Sequence, residues 1–515
     1  MYAKINGATI DGLQGYIVTV EVDISAGLPS LDIVGLPNQS VKESRERVKA
    51  AIRNSGFEFP MRRIVVNLAP ADLRKQSSGL DLAIAIGILE ASGQIKLRKP
   101  KRNQLLAKSV FIGELSLEGH IKPINGLLAM AVQSYESMYE RIYTGIENSA
   151  VASCIESLDI FGASNLENLV RGIEKNTLER QDYLEQSTDK IELNINNEYD
   201  FSDVQGQVFA KRGMEIAAAG FHHIIMVGPP GAGKTMMAKR LPTILPILSK
   251  DEQLEVSKIH NIAGLLTGHH LMQQRPFRAP HHTATLASLI GGGQSVRPGE
   301  ITLAHKGVLF IDEAPECKRE LLDALRQPLE SYTISISRVY GNYTYPAEFI
   351  LVLASNPCPC GYYGDPYHNC ICTDGEIKKY LYKISGPLQD RMDLQICVDR
   401  PELFELQQQS EPDERWSSKA MRENVEQARA LQFERYKGES FQLNGQMTHR
   451  AVRKFCVLSS EAEDLINTVF RQFHLSARSY DRILKVARTI ADLDGSECIE
   501  REHIAEAMAY RKERG

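Results

Sequence analysis

Gly228-Pro229-Pro230-Gly231-Ala232-Gly233-Lys234-Thr235 follows the apolar run Ile224-Ile225-Met226-Val227 and leads into a stretch, 236–241, suited to a helix. The pattern is G-x-x-x-x-G-K-[ST] in full, in the strand–loop–helix setting it needs. Its glycines let the backbone curl so that N–H groups cradle phosphate oxygens. The helix N-terminus adds positive potential there. All eight residues are therefore assigned to a nucleotide, ATP. Lys234 is expected to reach the β and γ phosphates and Thr235 to ligate Mg²⁺.

Downstream, Gly307-Val-Leu-Phe-Ile-Asp-Glu313 is an apolar strand ending in two acids. An Asp at this place holds Mg²⁺ in P-loop enzymes, which gives Asp312 that role. Glu313 is placed to polarise an attacking water, so hydrolysis is expected rather than passive binding. Strands and helices alternate over 199–400, which argues for a parallel α/β sheet. From 401 to 515 the pattern is helical, with Tyr480, Ile483, Leu484, Ala487, Ile490 and Ala491 at helical spacing.

The chain has 515 residues, 43% hydrophobic and 24% charged. That is an ordinary globular balance and excludes disordered, collagen-like and disulfide-scaffold classes. At about 150 residues per domain it predicts about three domains. The formal charge of −5 shows no global basic excess, so any nucleic-acid surface must be local. The longest uncharged apolar run, residues 82–89, is far short of the roughly 20 that a bilayer span needs. Met1-Tyr2-Ala3-Lys4-Ile5 lacks a signal-peptide core, so a cytoplasmic protein without membrane contact is expected.

Residues 1–170 alternate β-branched runs, such as 16–22 and 63–67, with helical stretches. The helix expected over 38–54 carries Lys42, Arg45, Arg47, Lys49 and Arg53, as a solvated face or a phosphate-contacting patch. Residues 171–198 have few large apolar side chains and an acidic balance, and are expected to be a linker.

Four further stretches resemble parts of AAA+ ATPases. Phe349-Ile-Leu-Val-Leu-Ala-Ser-Asn356 ends where a sensor-1 Asn orients water, unless Asn356 merely caps a helix. Ser385-Gly-Pro-Leu-Gln-Asp-Arg-Met-Asp393 resembles the segment that delivers an arginine finger to a neighbour's ATP. Arg391 then takes that role, or is a structural Arg paired with Asp390 or Asp393. Ser476-Ala-Arg-Ser479 opens a helix whose Arg478 resembles the sensor-2 arginine, and Asp203-Val-Gln-Gly-Gln207 resembles a segment beside adenine.

Together with Arg278-Ala-Pro-His-His282, Ala354-Ser-Asn-Pro-Cys-Pro-Cys-Gly361 and 475–493, these stretches resemble the magnesium-chelatase-like AAA+ ATPases, and within them the YifB/ComM family. The resemblance implies a P-loop AAA+ α/β core, an all-α C-terminal lid over 401–515, and a Lon-protease-like, ribosomal-S5-type α/β domain over 1–170. Gly113-Glu-Leu-Ser-Leu-Glu-Gly119 and Pro123-Ile-Asn-Gly126 carry the last of these. It also implies a homo-oligomeric ring, a hexamer, that hydrolyses ATP between subunits. The function expected from it is DNA remodelling, as helicase or branch migrase, alongside recombination or competence proteins. The alternative is a protein-remodelling ATPase of the MoxR or chelatase-I type. Proteolysis is not expected. Ser77 stands near the nucleophile position, but Leu127 and Leu128 follow Pro123-Ile-Asn-Gly126 where a Lys base is needed. Metal insertion is not expected either, because no integrin-type metal-adhesion motif is present.

Cys358, Cys360, Cys370 and Cys372 form C-x-C, nine residues, C-x-C. Four thiolates can enclose a structural Zn²⁺ tetrahedrally; a redox pair or loose thiols is the other reading. His368 is a possible replacement ligand. Residues 331–345 alternate like a hairpin with Gly341-Asn342 near its turn. Its place resembles a pre-sensor-1 hairpin, which either lines a pore, with Arg338, Tyr340 and Tyr343 on nucleic acid, or packs between subunits. The stretch 287–297, with Gly291-Gly-Gly293, is a second pore-loop candidate.

Overall fold

The computed structural model describes residues 1–36, 39–71, 75, 78–96, 104–182, 199–266, 270–293, 297–338, 341–400 and 413–511. They divide into two units. Unit 1 is Met1–Gln186 with Lys250–Met272 and Gly292–Pro298, and unit 2 is the remainder.

In unit 1, β1 (Tyr2–Asp11) and β2 (Gln14–Ser25) alternate apolar and polar residues and pair antiparallel through a two-residue turn containing Gly12, whose φ is 61°. With β3 (Ser30–Val34), β4 (Arg63–Ala69), β5 (Ser109–Phe111), β6 (Arg141–Gly145) and β7 (Asp159–Ala163) they build a mixed sheet ordered β3-β4-β2-β1-β5-β6-β7. Helix α1 (Gln39–Asn54) buries Val41, Val48 and Ile52, and α2 (Asp81–Ala91) is buried all round. The longest apolar run is therefore a core helix. Among the described residues no helix is long and apolar enough to cross a membrane.

Of the basic residues on α1, Arg47 is withdrawn from the solvated face. Arg47 turns inward, its Nε donating to the fully buried Asp81 at 2.8 Å. Burial pushes the Asp81 carboxyl up, while Arg47 and Ser44 pull it back by hydrogen bonding. Leu127 and Leu128, opening α3 (Leu127–Glu136), are fully buried, and Ser77 lies outside the described residues. The helix Lys250–Ala263, although it follows the P-loop region in sequence, belongs to unit 1. Its Asn261 accepts the Gly126 N–H on its carbonyl at 3.3 Å and the Leu128 N–H on Oδ1 at 3.1 Å.

In unit 2, helix α4 (Val208–Gly220) precedes β8 (Ile224–Val227), and α5 (Lys234–Ile244) follows the glycine-rich loop. Next come β9 (Phe277–Arg278), β10 (Val308–Ile311), the hairpin β11 (Thr333–Arg338) and β12 (Gly341–Pro346), β13 (Ile350–Ser355) and β14 (Leu394–Cys397). Five of these strands form an all-parallel sheet ordered β9-β10-β13-β8-β14. Parallel strands covered on both faces read as continuous apolar runs, as β8, β10 and β13 do. Helices α6 (Ser418–Arg435), α7 (Ala477–Leu493) and α8 (Arg501–Ala509) share one apolar core with the sheet, through Met226, Val352 and Leu394 on one side and Val425, Ile490 and Ile504 on the other.

Arg338 pairs with Gly341, so Gly341 and Asn342 open β12 directly beside the turn, as expected. Tyr343 and the buried Tyr345 share a face with buried Ile334 and Ile336, while Ser335, Ser337, Asn342 and Thr344 face solvent. Tyr343 is thus half-buried on the packed face. Tyr340 and the Arg338 side chain lie outside the described residues.

Candidate active site

Val227 lies beside Ser355, and Ile311 beside Leu353, so Gly228, Asp312 and Asn356 all leave the sheet at the carboxyl ends of adjacent strands. Ligands of open α/β sheets bind at this edge. Gly231 and Gly233 have φ of 78° and 89°, left-handed backbone that favours glycine, and a Cβ on either would meet no atom within 4 Å. Gly228 has the opposite constraint, because a Cβ there would lie 2.1 Å from the Val398 carbonyl.

Lys234 opens α5 with its ammonium folded over the loop. Nζ donates to the carbonyls of Gly228 (2.5 Å) and Pro229 (3.0 Å) and to Asn356 Oδ1 (3.1 Å). Burial pushes its pKa down against the opposing pull of Asp312 and Glu313. Thr235 Oγ1 donates to Asp312 Oδ2 at 2.9 Å. These two hard oxygen donors fit Mg²⁺, which prefers carboxylate and phosphate oxygens. When bound, the ion would neutralise phosphate charge.

Glu313 has φ 47°, and its side chain faces the His282 ring, Nδ1 to Oε2 3.5 Å. Spacing along the chain assigns no role to His282, which lies in the stretch Arg278-Ala-Pro-His-His282. Its position two residues past a proline, at the end of the strand next to β10, was the available signal. Arg278 in the same stretch forms a two-pronged pair with Glu300 at 2.6 and 2.8 Å.

Lys234, Thr235, Asp312 and Asn356 are thus brought together, with Glu313 beside them. Arg391 bonds elsewhere, and Arg478 has no partner among the described residues. Arg391 pairs with Glu330, rather than Asp390 or Asp393, and donates to the Pro387 carbonyl at 2.6 Å. Arg478 is exposed in the first turn of α7 and has no hydrogen bond or ion pair among the described residues. One turn on, Arg482 reaches the Met392 carbonyl (3.3 Å) and Asp393 (3.9 Å). Asp393 in turn meets His222 Nδ1 and the His223 N–H, both at 3.3 Å. Arg240, on α5, holds the expected adenine-side segment through Asp203 (2.7 Å) and the Asp200 carbonyl (2.6 Å).

The four cysteines converge. Cys358 Sγ is 3.3 Å from Cys360 and 3.7 Å from Cys370, and Cys360 is 3.6 Å from Cys370. All four sulfurs lie within 4.8 Å of one another. A tetrahedral Zn²⁺ with Zn–S near 2.3 Å spaces its sulfurs about 3.8 Å apart, so the cluster fits that ion. Backbone N–H groups of Tyr362 and Ile371 aim at Cys360 and lower its thiol to about 6. His368 is not part of the cluster; its ring stacks on Tyr362 at 4.7 Å and its N–H donates to Asp365.

A phosphate-cradling loop on a five-stranded parallel sheet, with an acid pair and an amide at neighbouring strand ends, defines a P-loop protein of the AAA+ ATPase-like class. The family model for magnesium chelatase, subunit ChlI, matches residues 200–406, and that for its C-terminal part matches 415–511. A third, described as subunit ChlI of Mg-chelatase, matches residues 20–148. Uncharacterized protein YifB of Escherichia coli is 41% identical over 97% of this chain and 95% of its own length. Competence protein ComM of Haemophilus influenzae is 40% identical over the same shares, and an uncharacterized protein of Mycobacterium tuberculosis H37Rv is 38% identical over 98% and 97%. The chain belongs to the magnesium chelatase ChlI family, in the group whose members carry the names YifB and ComM.

Proposed function

We propose that the protein is a cytoplasmic, ring-forming ATPase, a hexamer, that couples ATP hydrolysis to DNA remodelling of the helicase or branch-migration kind. The observation that carries the ATPase part is the convergence of Lys234, Asn356, Thr235 and Asp312 at one edge of the parallel sheet. Lys234 binds the β and γ phosphates, and Thr235 and Asp312 hold Mg²⁺. Glu313 accepts a proton from the attacking water, which Asn356 helps to orient. Arg391 serves as the finger for a neighbouring subunit's ATP, which requires it to leave Glu330. Arg478, exposed and unpartnered among the described residues, senses nucleotide from the helical lid. The N-terminal unit takes the part of the Lon-like domain and binds partners rather than cleaving them. The likeness to a protein named for competence supports DNA, and competence or recombination proteins, as partners.

ATP turnover with and without single-stranded and forked DNA, beside the Lys234→Ala control, tests this reading. The expected result is stimulation of about fivefold or more, lost in the control. Robust turnover indifferent to DNA would overturn the DNA part and favour protein remodelling.

A further inference from the structure

The cysteine cluster and the phosphate loop are in direct contact. Gly361, the residue after Cys360, sits with φ 87° against Pro230, the third residue of the loop. A Cβ on Gly361 would come within 2.8 Å of Pro230 Cδ and 2.9 Å of Cγ. The turn that places it there is closed by the Gly361 N–H donating to the Cys358 carbonyl at 3.0 Å. Both ends of the cysteine segment return to the site. It starts at Asn356, which accepts from Lys234 Nζ at 3.1 Å. It ends in the helix Asp374–Leu381, whose buried Tyr380 hydroxyl meets Ser355 and the backbone of Asn356.

Apolar packing contributes little to the order of this segment. Tyr363, Tyr367 and Ile371 are exposed by 54%, 70% and 86%, so it has almost no apolar core of its own. Its polar ties centre on Asp365, which accepts from the Tyr367 and His368 N–H groups and lies 3.6 Å from Arg400, while the His368 ring stacks on Tyr362. A cross-link that offsets conformational entropy matters most in a loop this poor in buried apolar surface. The four sulfurs are the one group in it arranged to share an ion.

We propose that Zn²⁺ bound by Cys358, Cys360, Cys370 and Cys372 braces the phosphate loop through Gly361 and Pro230, so that ATP affinity depends on zinc. The ion does no chemistry. It fixes the turn at Gly361, which fixes Pro230 and the loop amides that receive the phosphates. The proposal rests on the reading of 228–235 as the ATP site and is independent of DNA.

The test uses the full chain purified without chelator. Zinc is quantified by elemental analysis. The Kd of a fluorescent ATP analogue is then measured before and after a zinc-selective chelator that leaves Mg²⁺ in place, and after zinc is added back. Helical content is followed by circular dichroism throughout. The expected result is about one zinc per chain, an affinity that falls about fivefold or more on chelation with helical content kept, and recovery on add-back. Pro230→Ala should keep its zinc yet lose the chelator response, because the contact and not the metal is removed. Zinc below about 0.2 per folded chain would overturn the metal assignment. One zinc per chain with an unchanged Kd after chelation would overturn the brace alone. A zinc-loaded protein that binds no ATP analogue would overturn the ATP reading and the brace with it.

Discussion

His223 enters β8, the strand that delivers the phosphate loop, and its buried ring accepts the Leu351 N–H on Nδ1 at 3.2 Å. That acceptor role requires a neutral ring. Burial pushes its pKa down to about 4, with His222, Arg482 and Lys485 opposing its charge and Asp393 favouring it. An unfolded His titrates near 6.5, so between about 6.5 and 4 the unfolded chain takes a proton that the folded chain refuses. Stability from this group is therefore full above 6.5 and is lost as pH falls through that window. Between pH 7 and pH 5 the loss is about 2 kcal/mol. His223→Gln, which keeps an acceptor for Leu351, should shrink the pH 7-to-5 stability difference in urea unfolding by about that amount. An unchanged difference would show that another group carries it. Asp393 does not interfere, because although burial raises its pKa, His222 and Arg482 hold it well below the usual carboxylate range. At Glu313, replacement by Gln should slow single-turnover hydrolysis about 100-fold or more while ATP binding stays within about threefold. Native-rate hydrolysis would remove Glu313 from water activation. Lys234, Thr235, Asp312 and Asn356 were legible because their chemistry is tied to fixed spacing after apolar strands. His282 and Arg482 were not. Each acts through a contact made by a different strand or helix, which spacing along the chain does not encode.

Element-scale patterns were legible in kind more than in detail. The parallel sheet and the helical end follow from apolar runs and a 3.6-residue period, and α7 indeed buries Ile483, Leu484, Ala487, Ile490 and Ala491. The hairpin's alternation was equally plain, but alternation says only that two faces differ. Tyr343, a candidate for stacking on bases, is half-buried on the packed face, beside Tyr345, which is 1% exposed and opposite Ile334. Tyr345→Ala should therefore destabilise the protein by about 3–5 kcal/mol in denaturant unfolding. Ser337→Ala and Asn342→Ala, on the solvent face, should stay within about 0.5 kcal/mol. If nucleic acid uses this hairpin, those solvent-face changes alter DNA stimulation of turnover without altering stability. A Tyr345→Ala protein as stable as the parent would mean that the packed face is misassigned.

The sequence suggests domains strung in order, with one acidic linker over 171–198. The chain passes from one unit to the other within that stretch, and again after Ser249, Met272, Gly291 and Pro298. Composition marks a linker by its polarity, and a segment that leaves one unit to pack in another keeps the polarity of a packed helix, so 250–272 carried no such mark. The helix Lys250–Ala263 buries Val256, Ile259 and Ile262 within unit 1, where Asn261 caps the start of α3 by accepting the Leu128 N–H. Cutting at the apparent linker removes its partner. A 199–515 fragment should expose these three side chains and leave Asn261 without its N–H partners, so it should self-associate at micromolar concentration in light scattering. Replacing 250–272 with a short Gly/Ser bridge in that fragment should restore a monodisperse species, because the apolar stripe goes with the helix. In the intact chain, Asn261→Ala should cost about 1–2 kcal/mol in unit 1, the worth of a helix cap. ATP affinity should stay within about twofold, because the N–H groups that Asn261 receives, those of Gly126 and Leu128, belong to unit 1 and the phosphate loop to unit 2. A 199–515 fragment that is monodisperse without further change would show that the inserted helix holds its fold alone, and that the two units depend on each other less than their interleaved chain implies.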